Sequence, residues 1–375
     1  MTHFDNIVID GPIEPDVTVV MTIYNTPVRK LVPAISSIIN QDYIKIAFVI
    51  IDDCSKDENR DEIYKKCDEL SKIFERLHPG LPFFADFSLT VNMGHSYCRN
   101  LGVKRAHDIY KSEYIYFIDS DDECLKDSIS TLMRPFNDKP DLDISIGNYT
   151  RDSVVWYNKA PYDPGAGMNY LTNIEALSHL CAPYMLPGYR VKDDLLPIPL
   201  RATWNKIFRT SLFYKWGSDE RDICFPEGRC RDDNFTAHRL LYKARNIAFN
   251  TKIMYFYRPG GLLADNKLYF GRDLSDAHAD RVEFLEKIFN EYGYVDKYDF
   301  VEKSILALTI FNEKIIYLWT LVKSIEATGT GVDDKKILYK QFVDFFGKNE
   351  YDVMIYKPEF VGFLVEFKEK NENLG

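Results

Sequence analysis

The 375-residue sequence has no CxxC pair among its seven cysteines, Cys54, Cys67, Cys98, Cys124, Cys181, Cys224 and Cys230. Scattered and odd in number, they signal neither a zinc knuckle nor a disulfide framework and read as reduced intracellular thiols. Neither GxxxxGK nor GxGxxG stands near the N-terminus, so the glycine-rich phosphate loop of many nucleotidyl and phosphoryl transferases is missing. Positive charge is in deficit, with a formal net charge of -10. That excludes a general nucleic-acid binder, which needs clustered Lys and Arg, but leaves a nucleotide substrate open, because a metal can supply local positive charge. The start, "MTHFDNIVIDGPIEPD", lacks the basic and apolar parts of a signal peptide, and no uninterrupted apolar run approaches the ~20 residues that cross a bilayer. The expected location is cytoplasmic, at most peripheral at the inner face of a membrane.

What is present is a regular alternation. "DVTVVMTIYN" reads as a buried strand and a turn; "TPVRKLVPAISSIINQ" then spaces Val28, Leu31, Val32, Ile35, Ile38 and Ile39 as on a helix. Asn25 or Thr26 is expected to cap that helix, with Pro27 at its first position and Pro33 still within the first turns. "IAFVIIDDCSKD" repeats the theme as an apolar strand ending in two aspartates, followed by the polar helix "ENRDEIYKKCDELSKIFERL". A third strand is expected near "FADFSLTVN", a helix over "GHSYCRNLGVKRAHDIYK", and further strands at "YIYFIDSDD" and "DLDISIGNYT". Alternating β and α segments with apolar strands predict a mainly parallel sheet covered by helices, with its ligand crevice at the carboxyl ends of the strands. Residues 157–199 read as loop, and the stretch from Asp273 to Gly375 as helical.

The crevice rule gathers Tyr24-Asn25, Asp52-Asp53 and Asp119 to Asp122 at one place. Three aspartates in four positions repel one another, and four readings compete. Ser120 or Asp122 could cap a helix beginning near Leu125, which leaves Asp52 and Asp53 unexplained. A calcium loop lacks its D-x-[DN]-x-[DN]-G spacing. A phosphoacceptor of the response-regulator type leaves the later motifs unused. A divalent cation held with a pyrophosphate fits best, because alternate side chains of an extended segment share a face and Asp119 and Asp121 alternate.

In order and spacing, "VTVVMTIYN", "VIIDDCSKD", "NMGHSYCRNLGV" and "YIYFIDSDD" resemble the inverting family 2 glycosyltransferases, whose GT-A fold is a nucleotide-binding α/β domain with a metal-holding Asp-x-Asp. "WNKIFRTSLF", "FPEGRCRDDNF" and "IMYFYRPGGL" continue the resemblance to about Leu262. It implies a catalytic domain over residues 1–265, with a nucleotide-sugar half at about 15–150 and an acceptor half at 151–265, and a helical region over 266–375. By resemblance, Thr22, Tyr24, Asn25, Asp52, Asp53, Asn92, Gly94, Arg99, Asp119 and Ser120 surround the nucleotide sugar, with Asp53 accepting hydrogen bonds from base or ribose. Asp121 would be the direct ligand of Mn²⁺ or Mg²⁺, assisted by Asp119, with Asp122 and His278 as weaker candidates. Asp233 would be the general base, with Asp232 beside it where the family has Glu. Trp204, Lys206 and Arg258 would reach acceptor or phosphate.

The implied activity moves a sugar from a nucleoside-diphosphate sugar, with uridine the family's commonest base, to a glycan, lipid-linked or protein hydroxyl. The aromatics Trp156, Tyr157, Tyr184, Tyr189 and Trp204 could stack on sugar faces or fill the core. Two rival readings are a nucleotidyl or phosphoryl transferase using the same acidic site and a non-catalytic sugar-nucleotide or carbohydrate-binding protein. "SILALTIFNEKIIYLWTLV" reads as a buried helix, with pairing of two subunits or a peripheral membrane contact left open.

Overall fold

The computed structural model describes residues 14–157, 167–182, 197–259, 271–292, 300–327 and 330–374. Strand β1 (Val17–Ile23), helix α1 (Val28–Ile39), β2 (Ile46–Asp52), α2 (Asp57–Leu77), β3 (Phe83–Asp86), α3 (His95–Asp108) and β4 (Tyr114–Asp119) follow one another as the alternation predicts. Next come β5 (Glu123–Cys124), α4 (Ser128–Asp138), β6 (Leu142–Thr150), α5 (Ser153–Tyr157), β7 (Met168–Thr172), α6 (Asn173–Leu180) and α7 (Pro197–Arg201). Then follow β8 (Lys206–Arg209), α8 (Asp232–Lys243), β9 (Asn246–Phe256) and the helices α9 (Arg272–Tyr292), α10 (Phe300–Glu326), α11 (Val332–Tyr356) and α12 (Pro358–Lys370).

The strands form one sheet in the order β3-β2-β1-β4-β8-β6-β9-β5, with β7 beside β9. β3, β2, β1 and β4 are parallel, as are β6 and β9. The four-residue β8 runs antiparallel to both β4 and β6, so the sheet is parallel on the strand-end site's side and mixed beyond it. β2 is buried along its whole length, which is why its sequence is a continuous apolar run rather than an alternation.

The described chain packs as two compact units. The first takes its residues from Met1–Tyr170, Thr203–Gly228 and Lys243–Arg258, the second from Leu171–Ala202, Arg229–Tyr242 and Pro259–Gly375. The division differs from a single boundary at 265, because α6 and most of α8 join the C-terminal helices. α6 buries Ile174, Ala176, Leu177 and Leu180, and an apolar face must find another face to cover it. The loop expected over 157–199 thus contains β7, α6 and the start of α7. α6 opens with a capping box, Thr172 accepting from the Glu175 backbone while Glu175 binds the Thr172 N–H; the T-x-x-E signal was in the sequence.

In the first unit, α1 buries Leu31, Ala34, Ile35, Ile38 and Ile39. Each Leu or Ile so buried contributes roughly 1.5–3 kcal/mol. The helix starts later than expected: Pro27 is the N-cap, with no side-chain cap bond, and Thr26 instead holds Ser120 through their hydroxyls at 2.6 Å. Pro33 is the sixth residue of α1, past the turn whose N–H groups are free, so it does remove an intrahelical bond. α3 packs on β1 through small residues. A Cβ added at Gly102 would stand 2.4 Å from Val20 Cγ1, so only glycine lets the helix come this close.

In the second unit, Leu318, Leu321, Val322, Leu338, Phe342, Val353, Leu364 and Phe367 form one buried core. The segment Val301–Glu326 within α10 is long and apolar enough to cross a membrane, and 67% of that apolar window is buried within the protein. The expected buried helix accounts for that apolarity.

Candidate active site

Register brings the strand ends together. Ile23 lies beside Asp52 and Thr22 beside Asp119, so β1, β2 and β4 finish along one rim. Two residues in the left-handed region, Asn25 (φ 50°) and Cys54 (φ 60°), turn the chain sharply after β1 and β2. Asp52 is fully buried and accepts from the Ser55 N–H at 3.0 Å and the Ser55 hydroxyl at 2.5 Å. The same hydroxyl accepts from the Asn25 N–H at 2.8 Å, and Asn25 Oδ1 accepts from the Lys56 N–H at 2.8 Å. Asp52 and Asn25 therefore tie one loop to the other, leaving Tyr24, 45% exposed, on the rim.

Asp53 departs from expectation. Its carboxylate accepts from the Met93 N–H at 2.7 Å, the Gly94 N–H at 2.9 Å and Asn92 Nδ2 at 2.9 Å. Both oxygens are thus taken by the chain itself, and the residue is 3% exposed. Burial pushes its carboxyl above the ordinary value, against the pull of the Met93 and Gly94 N–H groups. Rather than receiving base or ribose, Asp53 shapes the 92–94 loop that precedes α3. Gly94, the N-cap of α3 at φ 87°, supplies the left-handed turn that a side chain would strain.

The acidic turn finds its counter-charges within the protein. Arg99 reaches Asp119 Oδ1 at 3.1 Å, and Lys30 reaches Asp121 Oδ2 at 3.1 Å. Asp119 and Asp121 still keep 31% and 26% of their side chains exposed. Asp122 does not: at 0% exposure it accepts from the Tyr255 hydroxyl at 2.9 Å and the Arg258 N–H at 2.8 Å. Burial, then the charges of Asp119 and Asp121, pushes the Asp122 carboxyl well above its ordinary value. Burial also raises Asp119, opposed by Arg99. The helix-cap reading fails, since α4 starts at Ser128 with Asp127 as an N-cap that makes no side-chain cap bond.

This division tests the fit of a divalent cation. Mg²⁺ and Mn²⁺ take one or two protein carboxylates and complete their shell from phosphate and water. Asp119 and Asp121 suit that role, with exposed edges and alternate positions at a strand end. Asp122, expected as a substitute ligand, does not, because both its oxygens are already bonded inside the fold. Among the described residues no group of three or more His, Cys, Asp or Glu is placed to hold a metal ion.

Three further candidates turn out to be structural. The Arg258 guanidinium pairs with Glu123 and donates to the carbonyls of Lys30 at 3.2 Å and Asp121 at 3.3 Å, bracing the acidic turn instead of reaching out to phosphate. Trp204 is 7% exposed and stacks on Tyr255 (4.7 Å, 5°) and Tyr257 (5.3 Å, 19°). Lys206 is 2% exposed, with its ammonium 5.9 Å from the Phe208 ring. Neither is open to an acceptor. Trp156 stacks on Phe256 (5.6 Å, 14°) and Tyr157 is 60% exposed; Tyr184 and Tyr189 lie outside the described residues.

The expected base belongs to the second unit. Asp232 and Asp233 are the first residues of α8, where carboxylates gain from the helix dipole. Asp232 is 1% exposed and accepts from the Asp233 N–H at 2.9 Å. Asp233 Oδ1 accepts from the Asn234 N–H and Nδ2, both at 2.8 Å. His278, expected as a weaker metal ligand, lies within α9, 1% exposed, its Nδ1 2.5 Å from Glu313 Oε1.

Sequence reasoning missed Lys30, Ser55, Tyr255 and Glu123, which orient the acidic residues. The "RK" pair opening α1 and the alternating Tyr255 and Tyr257 at the end of β9 and just beyond it were visible, but only the crossovers bring them beside the turn.

Comparisons with known proteins agree with the fold. The Glycosyl transferase family 2 profile matches residues 18–217, more than half of the chain. GlyG, a glycosyltransferase of Streptococcus pneumoniae serotype 4, is 26% identical over 278 residues, 71% of this chain and 79% of its own length. TuaG of Bacillus subtilis, named for a glycosyltransferase of teichuronic acid biosynthesis, is 30% identical over 240 residues, 60% of this chain and 83% of its own. In three dimensions the chain is similar to residues 1–349 of S. aureus TarS, crystallised with UDP-GlcNAc. That match has a TM-score of 0.51 at 18% identity and covers 88% of this chain and 89% of that one. The chain belongs to glycosyl transferase family 2 and carries its GT-A fold.

Proposed function

We propose that this glycosyltransferase moves a hexosyl or N-acetylhexosaminyl group from a UDP-sugar to a hydroxyl of a glycan, lipid-linked or protein acceptor, with inversion, in the synthesis of a bacterial surface polysaccharide or glycoconjugate. The UDP-GlcNAc bound by TarS and the teichuronic acid role in TuaG's name support donor and pathway class. The observation that carries the reading is the split within the acidic turn. Asp122 is sealed, with each oxygen already accepting a bond inside the fold, whereas Asp119 and Asp121 keep part of their side chains exposed beside Arg99 and Lys30.

In this reading Asp119 and Asp121 hold Mn²⁺ or Mg²⁺ against the donor's diphosphate. When bound, the cation supplies Lewis-acid stabilisation of the departing nucleoside diphosphate. Lys30 and Arg99 keep the two carboxylates apart and correctly turned. Tyr24, Thr22 and the loop that Asp53 organises border the nucleotide. Asp233 takes the proton from the acceptor hydroxyl as it attacks the anomeric carbon, and Asp232 fixes the turn beneath it. A single displacement needs no covalent nucleophile, so an α-linked donor gives a β-glycoside. The work belongs on the cytoplasmic side, where nucleotide sugars are made.

The test is UDP release from UDP-glucose, UDP-galactose and UDP-GlcNAc in the presence of Mn²⁺ or Mg²⁺. Asp233→Asn is expected to slow release about 10²–10⁴-fold, the usual worth of a general base, while leaving UDP binding intact. Wild-type turnover in Asp233→Asn would remove it from the mechanism.

A further inference from the structure

The proposed base sits on the first turn of α8, and within the second unit α9 grips that turn at three levels. Just before it, Asp273 accepts from the Cys230 N–H at 2.8 Å and from Arg229 Nη1 at 2.8 Å, and Asp276 takes the same guanidinium nitrogen at 2.8 Å. One turn beyond it, Asp280 holds Arg239 by two bonds of 2.6 and 2.8 Å. Between these, Arg281 Nη2 donates at 2.9 Å to the backbone carbonyl of Asn234, the residue that follows Asp233.

The middle contact differs in kind from the other two. Arg281 is 0% exposed, and so is Glu313 on α10, whose Oε1 accepts from Arg281 Nη1 at 3.0 Å. His278 Nδ1 lies 2.5 Å from the same oxygen. The charge of Arg281 holds Glu313 far down, at about 2, in spite of burial. A buried guanidinium fixed at one end by an ionised carboxylate has a defined direction. Here that direction ends on the peptide next to the catalytic candidate.

We propose that Arg281, held by Glu313, is a positioning residue for catalysis: it fixes the first turn of α8 and through it the aim of the Asp233 carboxylate. The proposal rests on the reading of Asp233 as base.

The experiment compares wild type with Arg281→Met/Glu313→Gln, which removes both charges and so leaves none unpaired in the interior. Three readouts are taken: thermal stability, kcat and KM for UDP release from UDP-GlcNAc, and hydrogen exchange of the peptide spanning residues 229–240. The double variant is expected to keep a melting temperature near wild type and an unchanged donor KM. Its kcat should fall about 10²-fold, the scale of a 1 Å misplacement, with faster exchange over 232–236. A double variant that recovers stability, turnover and exchange together would make the pair structural only and overturn the proposal. Unchanged exchange over 232–236 would overturn it even if no UDP-sugar is turned over. Asp233→Asn at wild-type turnover would instead sink the base assignment and this inference with it.

Discussion

In the strand-end turn of the first unit, Asp119 pairs with Arg99 and Asp121 with Lys30, and both remain partly exposed. In the second unit, Glu313 takes His278 and Arg281 with all three sealed from solvent. Both regions gather charge, yet only the first keeps its carboxylates partly exposed to solvent. Sealed ion pairs give a fold its register; half-open carboxylates at the carboxyl ends of parallel strands are the ones a ligand can reach. The contrast also runs within the turn itself, since Asp122 behaves like Glu313 and its neighbours do not.

The contrast can be broken by mutation. Glu313→Ala should cost about 3–5 kcal/mol, because it strands a buried guanidinium, and chemical denaturation would measure it; a loss below 1 kcal/mol would mean that the cluster is wetter than the fold implies. Acid should act on the second unit in a defined direction. Burial holds the imidazole of His238 down to about 4, below its unfolded value, so its contribution is complete above about pH 6.5 and disappears as pH falls towards 4. Roughly 3 kcal/mol should be lost by pH 4, and a His238→Gln variant should flatten that part of the stability profile. In the first unit the sharpest dependence is steric. Gly102→Ala should destabilise by about 1–3 kcal/mol through overpacking against Val20, which unfolding of the variant would report. The smallest effect belongs to the open turn: Asp121→Ala breaks a partly exposed pair with Lys30 and should change stability by less than about 1 kcal/mol while abolishing metal-dependent UDP binding.

Much of the first unit was legible because parallel strands buried on both faces write themselves as apolar runs, and because the crevice rule names their carboxyl ends. Asp119 ends β4 and Asp121 follows it, as that rule expects, and Arg99, named by the resemblance alone, bonds Asp119. The role of Asp53 was not legible, because its partners are backbone N–H groups at 93 and 94, and backbone donors leave no mark in a sequence. The burial of Trp204 and Lys206 was not legible for a related reason: a residue's type does not tell whether the approach to a short antiparallel strand is buried. The partners of Arg258 and Lys30 come from crossovers that join residues more than 90 positions apart. The hidden helix α6 was different, since its T-x-x-E start was readable and was passed over.

The most direct test of a metal and UDP-sugar site at Asp119 and Asp121 is thermal stability with UDP in Mn²⁺, in Mg²⁺ and in EDTA. A ligand that binds only the folded state raises its stability with concentration. The expected result is a UDP-dependent rise with metal, absent in EDTA and in Asp121→Ala, and kept in Asp233→Asn. No rise in the wild-type protein with UDP and either metal would contradict the assignment of the acidic turn.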